Sequence, residues 1–325
     1  MILDVGNLSI RLPYGRDLRP VVRGLSFQVA SGEILGVVGE SGCGKSITNL
    51  AILGLLPRGA VVEADRFELC GRDLRAVAGR DWSSIRGSLA AMIFQNPMTA
   101  LNPSLTIGTQ LIETIRKSGP QLSRGQCERT AAELLEKVGI ASAKLRLRSY
   151  PHELSGGMAQ RAMIAIALAC KPALLIADEP TTALDVTIQA QILDLLAQIS
   201  RDEGMAIMLV SHDIGVVAAY ADRIQVMYSG EIIETGPVGA VVDQPTHPYT
   251  LGLLRSLPGR AGSARKTPLM TIPGQVPPID LPLQGCRFAS RCTRNQPECS
   301  IAPAPVRIAD GGTAWARCHF PIASL

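Results

Sequence analysis

Two stretches of this 325-residue chain have residue types and spacings that suit the binding of phosphate groups. The first follows the pattern G-x-x-x-x-G-K-[ST], in which backbone N–H groups surround the phosphates of a nucleotide. Its lysine neutralises phosphate charge, and the hydroxyl of its last residue can bind Mg²⁺. An apolar strand before it and a helix after it favour this interpretation over a chance glycine-rich turn. The candidate phosphate-binding residues are Gly39, Ser41, Gly42, Cys43, Gly44, Lys45 and Ser46.

The second stretch is Leu154-Ser155-Gly156-Gly157-Met158, at the predicted start of an apolar helix. A serine can cap such a helix, the free backbone N–H groups favour an anion, and glycines let a phosphate come close. This element has no lysine, Mg²⁺ acid or base of its own. Because one nucleotide needs one such element, two of them predict a site shared between two chains. Ser155, Gly156 and Gly157 would then complete the site of a partner chain.

Two acidic residues follow the apolar segment Leu174–Ala177. Asp178 is the expected Mg²⁺ partner, and Glu179 is placed to polarise the attacking water as a general base. An acidic pair after a strand is more often a helix cap. Here a phosphate-binding loop already requires a Mg²⁺ acid, which favours the functional interpretation.

His212 and Gln95 also follow apolar segments. A lone histidine at a strand end is more often structural, but His212 is predicted at the same sheet edge as Ser46 and Glu179, where it would contact the γ-phosphate. Gln95 precedes Asn96-Pro97, and a glutamine there is predicted to touch Mg²⁺ or water and to respond to the nucleotide. Each signal is weak by itself.

Strands and helices alternate around these residues. Apolar runs and alternation predict strands at Leu8–Leu12, Leu25–Val29, Glu33–Gly39, Ala173–Ala177 and Ala206–Val210. Helical spacing predicts helices at Lys45–Leu56, Leu105–Lys117, Glu128–Val138 and Ile188–Ser200. The strand–helix–strand order predicts a parallel sheet with active groups at the carboxyl ends of its strands. Residues 97–160 are predicted to form a helical insertion.

Composition limits the classes of function. Hydrophobic residues make up 46% of the chain, which is enough for at least two cores, and aromatic residues only 4%, so base stacking on nucleic acid is not favoured. From Arg255 onward nine basic and three acidic residues give a net charge of +6, which is either a solvated surface or a patch facing an anionic partner. No signal peptide is predicted, because the start Met1–Asp4 lacks a basic region and a small-residue cleavage site. No membrane span is predicted, because the longest apolar run, Ala162–Cys170, is far shorter than ~20 residues. This predicts a soluble, cytoplasmic protein.

The order of the motifs resembles that of the nucleotide-binding subunit of ABC transporters over about residues 1–257. The motifs are the phosphate-binding loop, Gln95, Leu154–Gly157, Asp178-Glu179, Thr182-Ala183-Leu184-Asp185 and His212. The resemblance implies a head-to-tail dimer with ATP between the subunits, so that Ser155–Gly157 of one subunit meet the γ-phosphate of the other. It further implies that Asp185 lies in the loop that crosses this interface and that Tyr14 stacks on adenine. The usual glutamine after the two glycines is Met158 here.

Two further stretches resemble the dipeptide/oligopeptide importer branch, namely Phe94–Pro103 and Gln244–Thr250. The branch implies an ATPase subunit at the cytoplasmic face of the inner membrane. Its implied partners are a second ABC ATPase subunit in a heterodimer, two membrane permease subunits and an extracytoplasmic solute-binding protein, with no nucleic acid. Other cargoes, such as a nickel chelate, glutathione or an oligosaccharide, and a non-transport ABC ATPase stay as alternatives.

Four cysteines fall within 33 residues near the end of the chain, namely Cys286, Cys292, Cys299 and Cys318. Disulfides are disfavoured in the reducing compartment expected of an ATP-using chain without an export signal. A [4Fe–4S] cluster needs four thiolates and tolerates this spacing, whereas zinc sites usually have close C-x-x-C pairs. The branch resemblance also points to the cluster, since some members have one in this extension. Zinc and four free thiols are the alternatives.

The resemblance thus implies an α/β fold of the P-loop NTPase class. It comprises an ABC cassette with a RecA-like core, an antiparallel β subdomain and a helical subdomain at about 97–160. We predict the ATP-binding domain at residues 1–257 and a cysteine-rich extension of the oligopeptide-transporter type at 258–325.

Overall fold

The structure is a computed structural model that describes residues 1–181, 185–257, 271–278, 281, 285–301, 305–307 and 313–322. Of the sequence motifs, Thr182, Ala183 and Leu184 lie outside the described residues. The chain divides into two compact units. The first comprises Met1–Leu3, Val29–Glu33 and Glu68–Met208, and the second comprises Asp4–Gln28, Ile34–Phe67 and Leu209–Leu325.

The strands, in chain order, are β1 (Leu3–Tyr14), β2 (Asp17–Val29), β3 (Ile34–Val38), β4 (Val61–Glu63), β5 (Arg66–Leu69), β6 (Arg72–Asp73), β7 (Ala90–Ile93), β8 (Leu174–Asp178), β9 (Ala206–Ser211), β10 (Arg223–Tyr228), β11 (Glu231–Pro237), β12 (Pro305–Arg307) and β13 (Trp315–Arg317). The helices are α1 (Lys45–Ile52), α2 (Pro97–Ala100), α3 (Ile107–Ser118), α4 (Arg124–Lys137), α5 (Ala143–Arg146), α6 (Gly156–Leu168), α7 (Val186–Glu203), α8 (Ile214–Tyr220), α9 (Val238–Asp243) and α10 (Pro248–Arg255). Short 3₁₀ turns add to these, among them Ala289–Arg291.

The second unit contains two sheets. In one, the strand order is β9-β3-β10-β11-β13-β12, where β10 runs parallel to β3 and antiparallel to β11. All five residues of β3 are buried, as expected for an apolar strand inside a parallel sheet. In the other sheet β1 lies beside β2 and β5 and also pairs with β4. The alternation of Leu8 and Ile10 with less buried residues explains why β1 has one face on a core.

The first unit contains the helical segment and the parallel strands β7 and β8. Their register pairs Ile93 with Ala177, so both strands end at the same edge. Thr106 caps α3, and Ser123 and Gln126 form a reciprocal capping box at α4, which accounts for where these helices start. Both helices pack on α6.

The sequence predictions of strands at β1, β2, β3, β8 and β9 and of helices at α1, α3, α4 and α7 are confirmed, with shifted ends. The helix after the phosphate-binding loop is shorter than predicted, because α1 gives way at Leu53 to a turn in which Gly54 has a φ of 59°. The short strands β4 to β6 and the pair β12 and β13 were not predicted.

Among the described residues, no helix combines the length and the apolar character that crossing a membrane requires.

Candidate functional site

The phosphate-binding loop lies between β3 and α1 in the second unit, as predicted. Gly42 and Gly44 have φ angles of 78° and 102°, which residues with a Cβ atom rarely adopt. Gly39 is required for a different reason, since a Cβ atom there would lie 2.2 Å from the carbonyl oxygen of Met227. The three glycines therefore let the loop curl tightly above the sheet.

Lys45 is buried within this loop, and its Nζ donates to the carbonyl oxygens of Gly39 (2.6 Å) and Glu40 (3.1 Å). The loop thus holds the ammonium group in place. Ser46, the next residue, is exposed at the start of α1. The roles of Lys45 in phosphate binding and of Ser46 in Mg²⁺ binding stay predictions.

The side chain of the loop residue Cys43 is buried, and its Sγ lies 3.6 Å from Lys45 Nζ. Burial raises the pKa of the Cys43 thiol, although the neighbouring lysine opposes this. The side chain therefore packs against Lys45 as a neutral thiol.

Glu179 and Gln95 meet in the first unit. Each follows the carboxyl end of one of the paired strands β8 and β7, which explains why they are neighbours. Gln95 Nε2 donates to Glu179 Oε2 at 2.9 Å. Asp178, the last residue of β8, is buried. Gln95, predicted to touch Mg²⁺ or water, is thus also positioned to orient the candidate base.

The backbone at Glu179 is unusual, because its φ of 48° lies in the left-handed region. The adjacent Pro180 carbonyl accepts a 2.6 Å hydrogen bond from the Nε2 of Gln160, which is 2% exposed. A strained backbone persists only where neighbouring contacts hold it. The hydrogen bond from Gln160 to Pro180 is such a contact for Glu179. Sequence reasoning missed Gln160, for which the available signal was a polar residue on the apolar helix α6.

Ser155 is the N-cap of α6, as the sequence predicted, and its Oγ accepts from the Met158 N–H at 3.4 Å. Ser155 and Gly156 are exposed. Asp185 caps α7 by accepting from the Ile188 N–H at 2.9 Å. A Cβ atom at Gly157 would lie 3.2 Å from Ile188 Cγ2, so the two caps are neighbours within the first unit.

The remaining nucleotide-site candidates belong to the second unit. His212 directly follows β9 and is exposed, and Asp213 after it caps α8. Tyr14 ends β1 with 61% exposure, and the Arg19 guanidinium lies 3.4 Å from the centroid of its ring. The roles of both residues stay predictions.

Four cysteines line one cavity in the second unit, namely Cys286, Cys292, Cys299 and Cys318. Burial raises the pKa of Cys286 to about 11, and it raises the pKa values of Cys292 and Cys318 as well. Mutual repulsion of the thiolates adds to each shift. Within the part of the chain that the structure describes, no three His, Cys, Asp or Glu side chains are grouped closely enough to hold a metal ion. His319 has its Nε2 3.1 Å from the Ile301 carbonyl oxygen.

A buried carboxyl group organises the segment before α10. The Glu234 carboxylate accepts from the backbone N–H groups of Thr246 (2.6 Å) and His247 (3.0 Å). Burial raises the Glu234 pKa to about 7 and lowers the His247 pKa to about 3. The neutral His247 ring can therefore accept the Tyr249 N–H at Nδ1, at 3.0 Å. These contacts fix Tyr249 at the start of α10.

Comparison with known sequences gives two family matches. Residues 22–182 match the ABC transporter family, and residues 233–299 match the oligopeptide/dipeptide transporter C-terminal region. A probable peptide ABC transporter ATP-binding protein of Sinorhizobium fredii, y4tR, is 48% identical over 90% of this chain and 87% of its own length. The dipeptide transport ATP-binding protein DppD of Escherichia coli is 45% identical over 99% of this chain and 97% of its own length.

Solved structures agree with these matches. The ATP-binding cassette MJ0796, a dimer in a post-hydrolysis state bound to ADP and Pi, has a TM-score of 0.64 and 25% identity over 73% of this chain and 99% of that chain. The protein cbiO1 from Clostridium perfringens, part of an ABC transporter complex, has a TM-score of 0.63 and 26% identity over 74% of this chain and 90% of that chain. The predicted cassette fold is thereby confirmed. This chain therefore belongs to the ABC transporter family of ATP-binding proteins, in the branch with the oligopeptide/dipeptide transporter C-terminal region.

Proposed function

We propose that this chain is the ATP-hydrolysing subunit of an importer for dipeptides and oligopeptides. The observation that supports hydrolysis most is the hydrogen bond from Gln95 to Glu179, beside the buried Asp178. The peptide cargo is inferred from the relatives y4tR and DppD, which are described as peptide and dipeptide transport proteins.

In the proposed site, Gly39–Ser46 and Lys45 bind the phosphates of ATP, and Tyr14 stacks on adenine. Ser46, Gln95 and Asp178 would hold Mg²⁺, either directly or through its water ligands. These oxygen-bearing groups suit a hard cation, which would neutralise phosphate charge when bound. His212 contacts the γ-phosphate.

Hydrolysis then proceeds by in-line attack on the γ-phosphorus. A water oxygen bonds to this phosphorus while the bond from phosphorus to the ADP oxygen breaks. The Glu179 carboxylate accepts the water proton, and Gln95 keeps that carboxylate oriented toward the water. The positive φ at Glu179, held by the Gln160 contact to Pro180, fixes the direction of the base.

The element Ser155–Gly157 is proposed to complete the ATP site of a partner cassette. Its free N–H groups at the start of the 13-residue helix α6 favour the negative γ-phosphate. Asp185 is proposed to lie in the same interface, and Val186 beside it is 82% exposed, as expected for an apolar side chain that a partner covers.

The partner cassette is proposed to be a related but different chain. Two permease subunits would contact the helical segment 97–160, and an extracytoplasmic solute-binding protein would deliver the cargo. In this assembly the chain lies at the cytoplasmic face of the inner membrane as a peripheral subunit. We place the boundary of the cysteine-rich extension at residue 258.

Transport is tested by purifying the chain with the partner cassette and the permeases encoded beside it, and measuring uptake into vesicles in the presence of the solute-binding protein. ATP-dependent accumulation of labelled dipeptides and oligopeptides is expected, with none when Lys45→Ala replaces the phosphate-binding lysine. Uptake of a nickel chelate, glutathione or an oligosaccharide without peptide uptake would overturn the cargo assignment. Co-purification with ribosomes in place of permeases would overturn the transport role itself.

The four cysteines are proposed to hold a [4Fe–4S] cluster, with zinc as the alternative. The chemistry of the donors supports the cluster, because four cysteine sulfurs line one cavity and Arg294 beside it offsets negative charge. Binding has to draw the sulfurs together and displace protons from thiols whose pKa values are raised. When bound, such a cluster supplies a crosslink between distant parts of the extension.

Anaerobic purification tests this proposal. Protein kept from oxygen is expected to be brown and to contain about four iron and four sulfide per chain. Cys292→Ser should lower the iron content, while Cys70→Ser, at an exposed cysteine of the first unit, should not. A colourless protein with one zinc per chain would contradict the cluster.

A further inference from the structure

Among the described residues of the cysteine-rich extension at 258–325, here called the cysteine-rich segment, Arg291 forms an ion pair with the phosphate-binding loop. Nη1 of Arg291 donates to Oε1 of Glu40 at 2.8 Å, and Glu40 is the second residue of the loop Gly39–Ser46. We propose that Arg291 is a positioning residue for ATP binding, which holds Glu40 and neutralises its charge beside the phosphates. The proposal rests on the proposed ATP site.

Arg291 is itself held rigidly. Its side chain is 5% exposed, its Nε donates to the Pro273 carbonyl at 2.9 Å, and its Nη1 lies 3.4 Å from Tyr228 Oη. Because these contacts fix the planar guanidinium, its Nη1 points accurately at the Glu40 carboxylate. A flexible lysine would not place its donor so accurately. Because Arg291 ends a 3₁₀ turn and Cys292 follows it, the position of this donor depends on the cysteine-rich segment.

Glu40 is held at its backbone as well. Its N–H donates to Tyr249 Oη at 3.0 Å, and Tyr249 is fully buried with a pKa raised by that burial. The Glu40 carbonyl oxygen in turn accepts from Lys45 Nζ at 3.1 Å. The contacts of Glu40 therefore set the position of a carbonyl oxygen that holds the phosphate-binding lysine.

Charge gives the ion pair a direct effect on nucleotide binding. The Glu40 side chain is 30% exposed, so its carboxylate is shielded only in part by solvent. Without Arg291, an unpaired carboxylate would remain in the loop that receives a triphosphate. Its repulsion should weaken ATP binding, and removing the carboxylate as well should relieve that repulsion.

The test measures the Kd of the purified chain for a non-hydrolysable ATP analogue. Arg291→Met should weaken binding by about tenfold, the order expected when a charged hydrogen bond is lost. Adding Glu40→Gln to Arg291→Met should restore most of the affinity. Arg287→Met is the matched control, because Arg287 is a buried arginine of the same segment that donates to Ser229 Oγ and the Leu281 carbonyl. It should destabilise the fold and leave the Kd near that of the wild type.

Three outcomes would overturn the inference: an unchanged Kd in Arg291→Met, a weakened Kd that Glu40→Gln fails to restore, or an equal weakening in Arg287→Met. Failure of the ATP site itself is distinguishable from these. In that case the wild type would not bind the analogue, or Lys45→Ala would bind it equally well.

Discussion

Glu179→Gln should lower ATP turnover by about 10²- to 10⁴-fold, the range over which a general base contributes to catalysis. Glutamine keeps the shape of the side chain and an oxygen that can accept from Gln95 Nε2, so the surrounding contacts survive. It cannot take a proton from water. ATP should therefore still bind, and a closed dimer of cassettes should accumulate. Phosphate release and size-exclusion chromatography with ATP measure the two effects.

The matched control is Glu128→Gln, which removes an exposed carboxylate on α4 that pairs only weakly with Arg124 at the surface. Its turnover should equal that of the wild type. If Glu179→Gln retained wild-type turnover, Glu179 would not be the base.

Ser155→Arg should lower the turnover of the assembled complex on the order of a hundredfold, comparable to the loss of a donor that stabilises transition-state charge. The substitution removes the Oγ that caps α6 and puts a long side chain over the exposed N–H groups that would face a partner's γ-phosphate. The measurement is phosphate release by the complex of this chain with its partner cassette and permeases.

Loss of a helix cap alone costs about 1 kcal/mol of stability, so a control for this effect is needed. Ser123→Arg provides it, because Ser123 is also an N-cap serine in the first unit and caps α4. Both variants lose a comparable cap. Only Ser155→Arg should lose turnover, and an equal loss in both would show that helix stability is responsible.

The nucleotide-site motifs and the elements around them could be predicted from sequence because their signals are local. Apolar runs predicted β3 and β8, and a serine before two glycines predicted the cap of α6. The short strands β4 to β6 were not predicted, because segments of two to four residues are too short to show a clear hydrophobic periodicity.

The contacts that hold the site residues in position join segments that are far apart in the sequence. Glu40 and Arg291 are separated by 251 positions, and Gln160 and Pro180 by 20, so no local pattern pairs them. The burial of Cys43 was not predicted for a similar reason, since it depends on how the loop curls around Lys45. Such contacts depend on packing between distant segments, which the order of residue types does not specify.

Ser155–Gly157 are proposed to serve the ATP site of a partner and not the site of their own chain. The most direct measurement compares two quantities in Ser155→Arg: the Kd of the isolated chain for an ATP analogue, and the turnover of the complex. We predict an unchanged Kd together with lost turnover. A Kd that weakens in parallel with turnover would contradict the claim, because it would place this element in the chain's own site.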